Sequence, residues 1–134
     1  MREKVLFLEG DDSARSRMAA GWLEHLGMGS YCIRTAGPFP AAAPRLEVVE
    51  VMDEVGIPIL GRPGIHTREY LRERFDRVYA ICDQEGEPCP VFPGGAVCWS
   101  VPDPARLTVN RDPLAPYMEA RDRVRELVRE HFGV

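Results

Sequence analysis

Two clusters of residues in this chain carry chemistry in their side chains. The first is Glu9-Gly10-Asp11-Asp12-Ser13-Ala14-Arg15-Ser16. Arg15 can fork onto two oxygens of an oxyanion, and the hydroxyls of Ser13 and Ser16 can donate to an oxygen or to a nucleophile. A short loop of this kind, set between a strand and a helix, turns several backbone N–H groups inward. The helix start adds about half a positive charge, so the geometry suits an anion. The same residues also read as an ordinary helix start, with Asp12 or Ser13 as N-cap and Arg15 in solvent.

The second cluster is Cys82 and Cys89, with six residues between them in a polar loop that includes Pro88 and Pro90. A flexible loop can close that spacing into a disulfide, and the spacing fits no common zinc pattern. Two buried, small apolar side chains are the alternative. Cys32 and Cys98 fall in or beside strands and read as core. Glu9, Asp11, Asp12 and Asp103 together invite a divalent-metal reading. Acids ahead of a helix are equally what its dipole favours, so no metal site is expected. His25, His66 and His131 are scattered, and no motif calls for a cofactor.

The elements that must hold these residues can be read from the apolar pattern. Val5-Leu6-Phe7-Leu8 is an unbroken apolar run that stops at Glu9, as in a strand buried on both faces. Met18, Ala19, Trp22, Leu23 and Leu26 then recur at helical spacing, with Gly27 or Gly29 as the stop. A strand follows at 31–35, a Pro/Ala loop at 38–44, and a helix at 45–55 ended by Gly56. Residues 67–74 read as a short helix, 77–81 and 96–100 as strands. A last helix covers 113–132, with Glu119 and Arg123 as an i,i+4 pair and its arginines on a solvated face. Strands alternating with helices predict an α/β fold, a four-stranded parallel sheet flanked by helices on both faces. Its ligand site should lie at the carboxyl ends of the strands.

The 134 residues, 45% of them hydrophobic, suit one domain over 1–134 whose core needs no disulfide or metal to form. A net charge of −4 offers no basic face for nucleic acid. The apolar runs are far shorter than the roughly 20 residues of a membrane span or the stretch of a signal peptide. A cytoplasmic, reducing setting is the expectation.

Several segments together resemble the low-molecular-weight protein tyrosine phosphatases and, within them, the thioredoxin-coupled arsenate reductases. They are Val5-Leu6-Phe7-Leu8 leading to Ser13-Ala14-Arg15-Ser16, Met18-Ala19, Gly21-Trp22, Ala36-Gly37, and the run from Val51 through Asp53 to Ile57. Cys82-Asp83, Cys89-Pro90-Val91-Phe92-Pro93 and Trp99-Ser100-Val101-Pro102-Asp103-Pro104 complete the set, in the family's order. The resemblance implies a loop for arsenate or phosphate in which Arg15 clamps the oxyanion and Asp103 acts as general acid. In the reductase branch a loop cysteine attacks arsenate. Two further cysteines, at Cys82 and Cys89 here, then attack in turn, release arsenite and end as a disulfide reduced by thioredoxin.

The chain departs from that pattern at the first nucleophile. The family places a cysteine six positions before the arginine, and this chain has Glu9 there. A carboxylate is a poorer nucleophile than a low-pKa thiolate, and it puts negative charge where the substrate's must sit. The side-chain positions of the potassium site of some reductases fall on Asp12, Ala20, Thr35 and Ile65. The expected protein is therefore arsenate reductase-like, retaining the Cys82/Cys89 pair without the first nucleophile. The alternatives are a non-catalytic oxyanion-loop or regulatory pseudoenzyme, and a residual tyrosine phosphatase. In either of the first two, the Glu9 carboxylate, or failing that Asp11 or Asp12, should turn into the loop.

Overall fold

Four parallel strands set the frame, in a computed structural model that describes residues 2–134. In chain order the elements are β1 (Glu3–Leu8), α1 (Arg15–Leu26), β2 (Tyr31–Ala36), α2 (Leu46–Asp53), β3 (Arg77–Cys82), β4 (Val97–Ser100) and α3 (Ala115–Phe132). The strands lie in the order β2-β1-β3-β4, each parallel to its neighbour. β1 is an inner strand, which is why Val5, Leu6, Phe7 and Leu8 are all fully buried.

Alternation along β1 divides the core. Val5 and Phe7 face Met18, Trp22 and Leu23 of α1, Val48, Val51 and Met52 of α2, and Val124 and Val128 of α3. Each such side chain contributes about 1.5–3 kcal/mol on full burial, so this face dominates the packing. Leu6 and Leu8 point the other way, where Ala36 and Ala80 join them under Tyr70, Phe75, Cys89 and Phe92. Tyr70 comes from a 3-10 turn, Thr67–Tyr70. Helical structure thus lies on both faces, with the three α-helices on one and a single short turn on the other.

Several local expectations change. The helix expected at 67–74 shrinks to the turn Thr67–Tyr70, because its few apolar residues cover the small second face rather than filling a helical stripe. Glu119 pairs with Arg111 at 2.6 Å and Arg123 with Glu126 at 3.3 Å, in place of the expected i,i+4 pair. Arg121 leaves the solvated face: its guanidinium donates to the Val51 carbonyl and to Glu54, both at 2.9 Å, and ties α3 to α2. Cys98 is exposed and Cys32 half-buried rather than core. Both lie on edge strands, and Cys98 points away from the helix face that takes Trp99.

Because every strand runs the same way, the residues after β1, β2, β3 and β4 meet at one edge. Gly37, just past β2, donates to the Ile65 carbonyl at 2.9 Å. A Cβ there would run into the Glu9 carbonyl and stand 2.7 Å from that of Gly10. Only glycine lets β2 pass this close behind the loop.

Candidate functional site

The loop after β1 closes around its own first residue. Glu9 is fully buried. Its Oε1 accepts from the backbone N–H of Ala14 at 2.9 Å and of Ser16 at 3.2 Å, and from the Ser16 hydroxyl at 3.1 Å. Its Oε2 accepts from Arg15 Nε at 3.0 Å. Ala14 is the N-cap of α1 and makes no side-chain cap of its own. The Glu9 carboxylate therefore does what a cap or a bound anion would do at a helix N-terminus.

Arg15 is engaged on all three nitrogens. Its Nη1 and Nη2 donate to the two Glu87 oxygens at 2.8 and 2.7 Å, and Nη1 also donates to the Val101 carbonyl at 2.6 Å. Burial alone would pull the guanidinium's pKa down, but the hydrogen bonds and charges of Glu87 and Glu9 outweigh it and hold the group above its ordinary value. Arg15 is a permanent cation between two carboxylates, and an external oxyanion has to displace one of them.

The remaining loop acids also face arginines. Asp11 accepts from the Ser13 hydroxyl at 2.6 Å and backbone N–H at 3.2 Å, and lies 3.5 Å from Arg45. Asp12, at a φ of 52°, is fully buried and takes the Ser16 hydroxyl at 2.8 Å and the Ile65 N–H at 3.0 Å. The guanidinium groups of Arg17 and Arg62 approach it at 3.5 and 3.6 Å, and Arg62 also donates to the Thr35 hydroxyl. Asp12 and Thr35, two of the four positions that fall on the potassium site of some reductases, are both met by the guanidinium of Arg62. Among the described residues, no group of three or more His, Cys, Asp or Glu side chains is arranged to hold a metal ion.

Asp103 lies at the same edge but is held by Arg45, at 2.7 Å to Nη1 and 3.3 Å to Nη2, and by the Ala105 N–H at 3.0 Å. Burial raises its pKa, but Arg45 and the Ala105 N–H overcome that and keep the carboxyl below its usual range. Held ionised, Asp103 has no proton to give near neutral pH. The folded pKa is depressed, so the pair stabilises the protein above about pH 4, the unfolded value, and that share is lost as pH falls through the folded pKa. We expect Asp103→Asn to flatten the acid limb of a stability-versus-pH curve, by about 1 kcal/mol or less given its partial exposure. The measurement is urea unfolding at pH 3 to 7, and an unchanged limb would contradict the pairing.

Cys82 and Cys89 are joined in a disulfide with Cα atoms 5.3 Å apart. Cys82 is fully buried at the end of β3, while Cys89 is half-buried in the loop beyond it. Glu87 lies within the span the bond closes, so the two clusters read from the sequence are parts of one site. Sequence reasoning missed Glu87, Arg45 and Arg62. Glu87 looked like one more polar loop residue, and nothing local to it signals a partner 72 residues away.

No family model matches the chain. It is 30% identical over 111 residues to an arsenate reductase of Staphylococcus xylosus, covering 78% of this chain and 80% of that one. The chain belongs to the arsenate reductase family. An arsenate reductase of Halalkalibacterium halodurans is 28% identical over 128 residues, covering 92% of this chain and 91% of the relative. A solved arsenate reductase in the phosphate-binding state superposes with a TM-score of 0.81 at 25% identity, covering 98% and 97% of the two chains. A thioredoxin-dependent arsenate reductase of Corynebacterium glutamicum gives 0.66 at 27%, covering 96% of this chain and 61% of the other. The fold is also that of a low-molecular-weight protein tyrosine phosphatase from T. tengcongensis, with a TM-score of 0.75 at 20% identity over 98% of each chain. Within this family fold, position 9 carries a buried carboxylate bonded to the loop, and Cys82 and Cys89 form a disulfide.

Proposed function

We propose that this arsenate reductase-like protein works as a thiol–disulfide exchange partner through Cys82 and Cys89, and that it lacks the standard attack on arsenate from the loop. The observation that carries this reading is the position of Glu9: its carboxylate takes the loop amides and Arg15 Nε. No thiol stands there to attack, and the loop already holds an anion. Asp103, paired with Arg45, supplies no general acid. A residual tyrosine phosphatase has no observation in its favour.

The exposure of the two sulfurs sets the direction of exchange. A thiolate of the partner attacks the half-buried Cys89 Sγ, and the buried Cys82 leaves as thiolate. The partner's second thiolate then attacks the mixed disulfide and releases Cys89. Two electrons pass to this protein, two protons are taken up, and the partner ends as a disulfide. An apolar cleft of about 460 Å³ beside Cys89, lined by Pro38, Phe39, Pro88, Pro90 and Val91, offers a surface for such a partner. Phe39 and Val91 are strongly exposed in it. A thioredoxin is the partner we propose, in keeping with the thioredoxin-dependent arsenate reductase of Corynebacterium glutamicum that shares this fold, in a reducing, cytoplasmic setting. Among the described residues no helix is long and apolar enough to cross a membrane.

The test combines the oxidised protein with thioredoxin, its reductase and NADPH, with and without arsenate. We expect one NADPH consumed per disulfide, no sustained consumption on adding arsenate, and none beyond background for Cys82→Ser. Turnover of para-nitrophenyl phosphate should stay well below roughly 1 per second, the low end for working enzymes. Sustained arsenate-dependent consumption would overturn the loss of the first attack. A disulfide that thioredoxin leaves intact would overturn the exchange role.

A further inference from the structure

Glu87 is placed at Arg15 by the disulfide loop itself. The Asp83 carbonyl accepts from the N–H of Gly86 at 3.1 Å and of Glu87 at 2.8 Å, and the Asp83 N–H donates to Glu87 Oε1 at 2.9 Å. The disulfide pins both ends of this turn, five residues before Glu87 and two after it. From there the carboxylate meets Arg15 as two parallel N–H···O bonds of 2.8 and 2.7 Å, the arrangement in which a guanidinium also takes a free carboxylate or phosphate. The arginine side chain is 1% exposed and the glutamate 21%, so the cation is buried and its carboxylate partner meets it from the solvent side. Gly10 leaves open space over the spot, since a Cβ there would meet nothing nearer than Glu87 Oε2 at 4.0 Å. The position is separate from the amide cradle that Glu9 fills.

We propose that the outer fork of Arg15 is a redox-gated anion site: Glu87 occupies it while the Cys82–Cys89 bond is closed, and an external oxyanion takes its place when the bond is open. The inference rests on the two cysteines being a reversible pair. A dithiol opens the bond, giving up two electrons and two protons to leave two thiols here and a disulfide on itself. The seven-residue separation, held at 5.3 Å between Cα atoms by the bond, can then extend to roughly 24 Å. The effective concentration of Glu87 at Arg15 falls accordingly, and a competing anion gains by the same factor. Linkage makes the effect reciprocal: Glu87 favours the disulfide, and a bound anion favours the dithiol form.

The experiment measures binding of inorganic phosphate, and of acetate as the simple counterpart of the Glu87 carboxylate, by calorimetry and by amide shifts of Gly10 and Ala14. Samples are the full chain, oxidised and reduced with excess dithiothreitol, as wild type, Glu87→Gln and Glu87→Ala. Reduction should tighten binding of one or both anions at least tenfold in the wild type. Both variants should bind the anion when oxidised as the wild type does when reduced, and should show no further gain on reduction. Their disulfide should open at least tenfold more readily against dithiothreitol, a rise of about 30 mV in reduction potential. Equal affinities in the two wild-type states, or a redox dependence that survives in both variants, would overturn the gate while leaving the exchange reading intact. A disulfide that excess dithiothreitol does not open would overturn the reversible pair and the gate with it.

Discussion

Replacing Arg15 by methionine is expected to cost about 3–5 kcal/mol, the usual penalty for removing one partner of a buried ion pair. Glu9 is fully buried, and Arg15 Nε is the cation that balances it at 3.0 Å. Methionine fills much of the same volume, so the loss reports charge more than packing. The Ala14 and Ser16 donors remain on Glu9, but they carry no net charge to offset it. Glu87, being partly exposed, can turn to water once its partner is gone. The double variant Arg15→Met with Glu9→Gln should therefore recover part of the loss, because the uncompensated charge goes with the second change. Urea unfolding of the three variants forms a double-mutant cycle, with a coupling energy expected between about 1 and 3 kcal/mol. A single-variant loss under about 1 kcal/mol would mean that the pair contributes little.

Glu9→Ala should destabilise the oxidised protein by about 3 kcal/mol and make its stability depend on phosphate or arsenate. The change leaves the N–H groups of Ala14 and Ser16 without the Oε1 acceptor they share, while the Ser16 hydroxyl keeps Asp12 at 2.8 Å. Unsatisfied buried donors cost about 1–3 kcal/mol each when nothing replaces the acceptor. An oxyanion can replace it, since what remains is a helix N-terminus with inward amides. A ligand at about 100 times its Kd returns about 2.7 kcal/mol, close to the whole loss. Thermal unfolding in phosphate against chloride at matched ionic strength checks this. The variant's midpoint should rise with phosphate and arsenate, while the wild type, which carries its own carboxylate in the cradle, should respond little. A variant that phosphate leaves unchanged would show that the cradle collapses without Glu9.

The sheet and its order of use could be read from the residues because strand and helix signals are local. Val5-Leu6-Phe7-Leu8 had to be an inner strand, since four successive apolar side chains need cover on both faces. Residues after parallel strands had to gather at one edge. The same local pattern brought Glu9, Ser16, Arg15, Cys82, Cys89 and Asp103 to that edge, and a loop of inward amides favoured a carboxylate turned into it, with Glu9 the first of its three acids. Tertiary structure decided which charges met. Asp103 faces Arg45 at 2.7 Å, Asp12 faces Arg17 and Arg62, and Glu87 crosses 72 residues to Arg15. Ion pairing between distant loops has no period and no neighbouring signal, because it depends on where the backbone carries each side chain rather than on what stands beside it in sequence. The chain alone determined that a carboxylate, Glu9, opens the loop after β1. Only the folded loop, with its disulfide closed, decided that a second carboxylate covers the arginine.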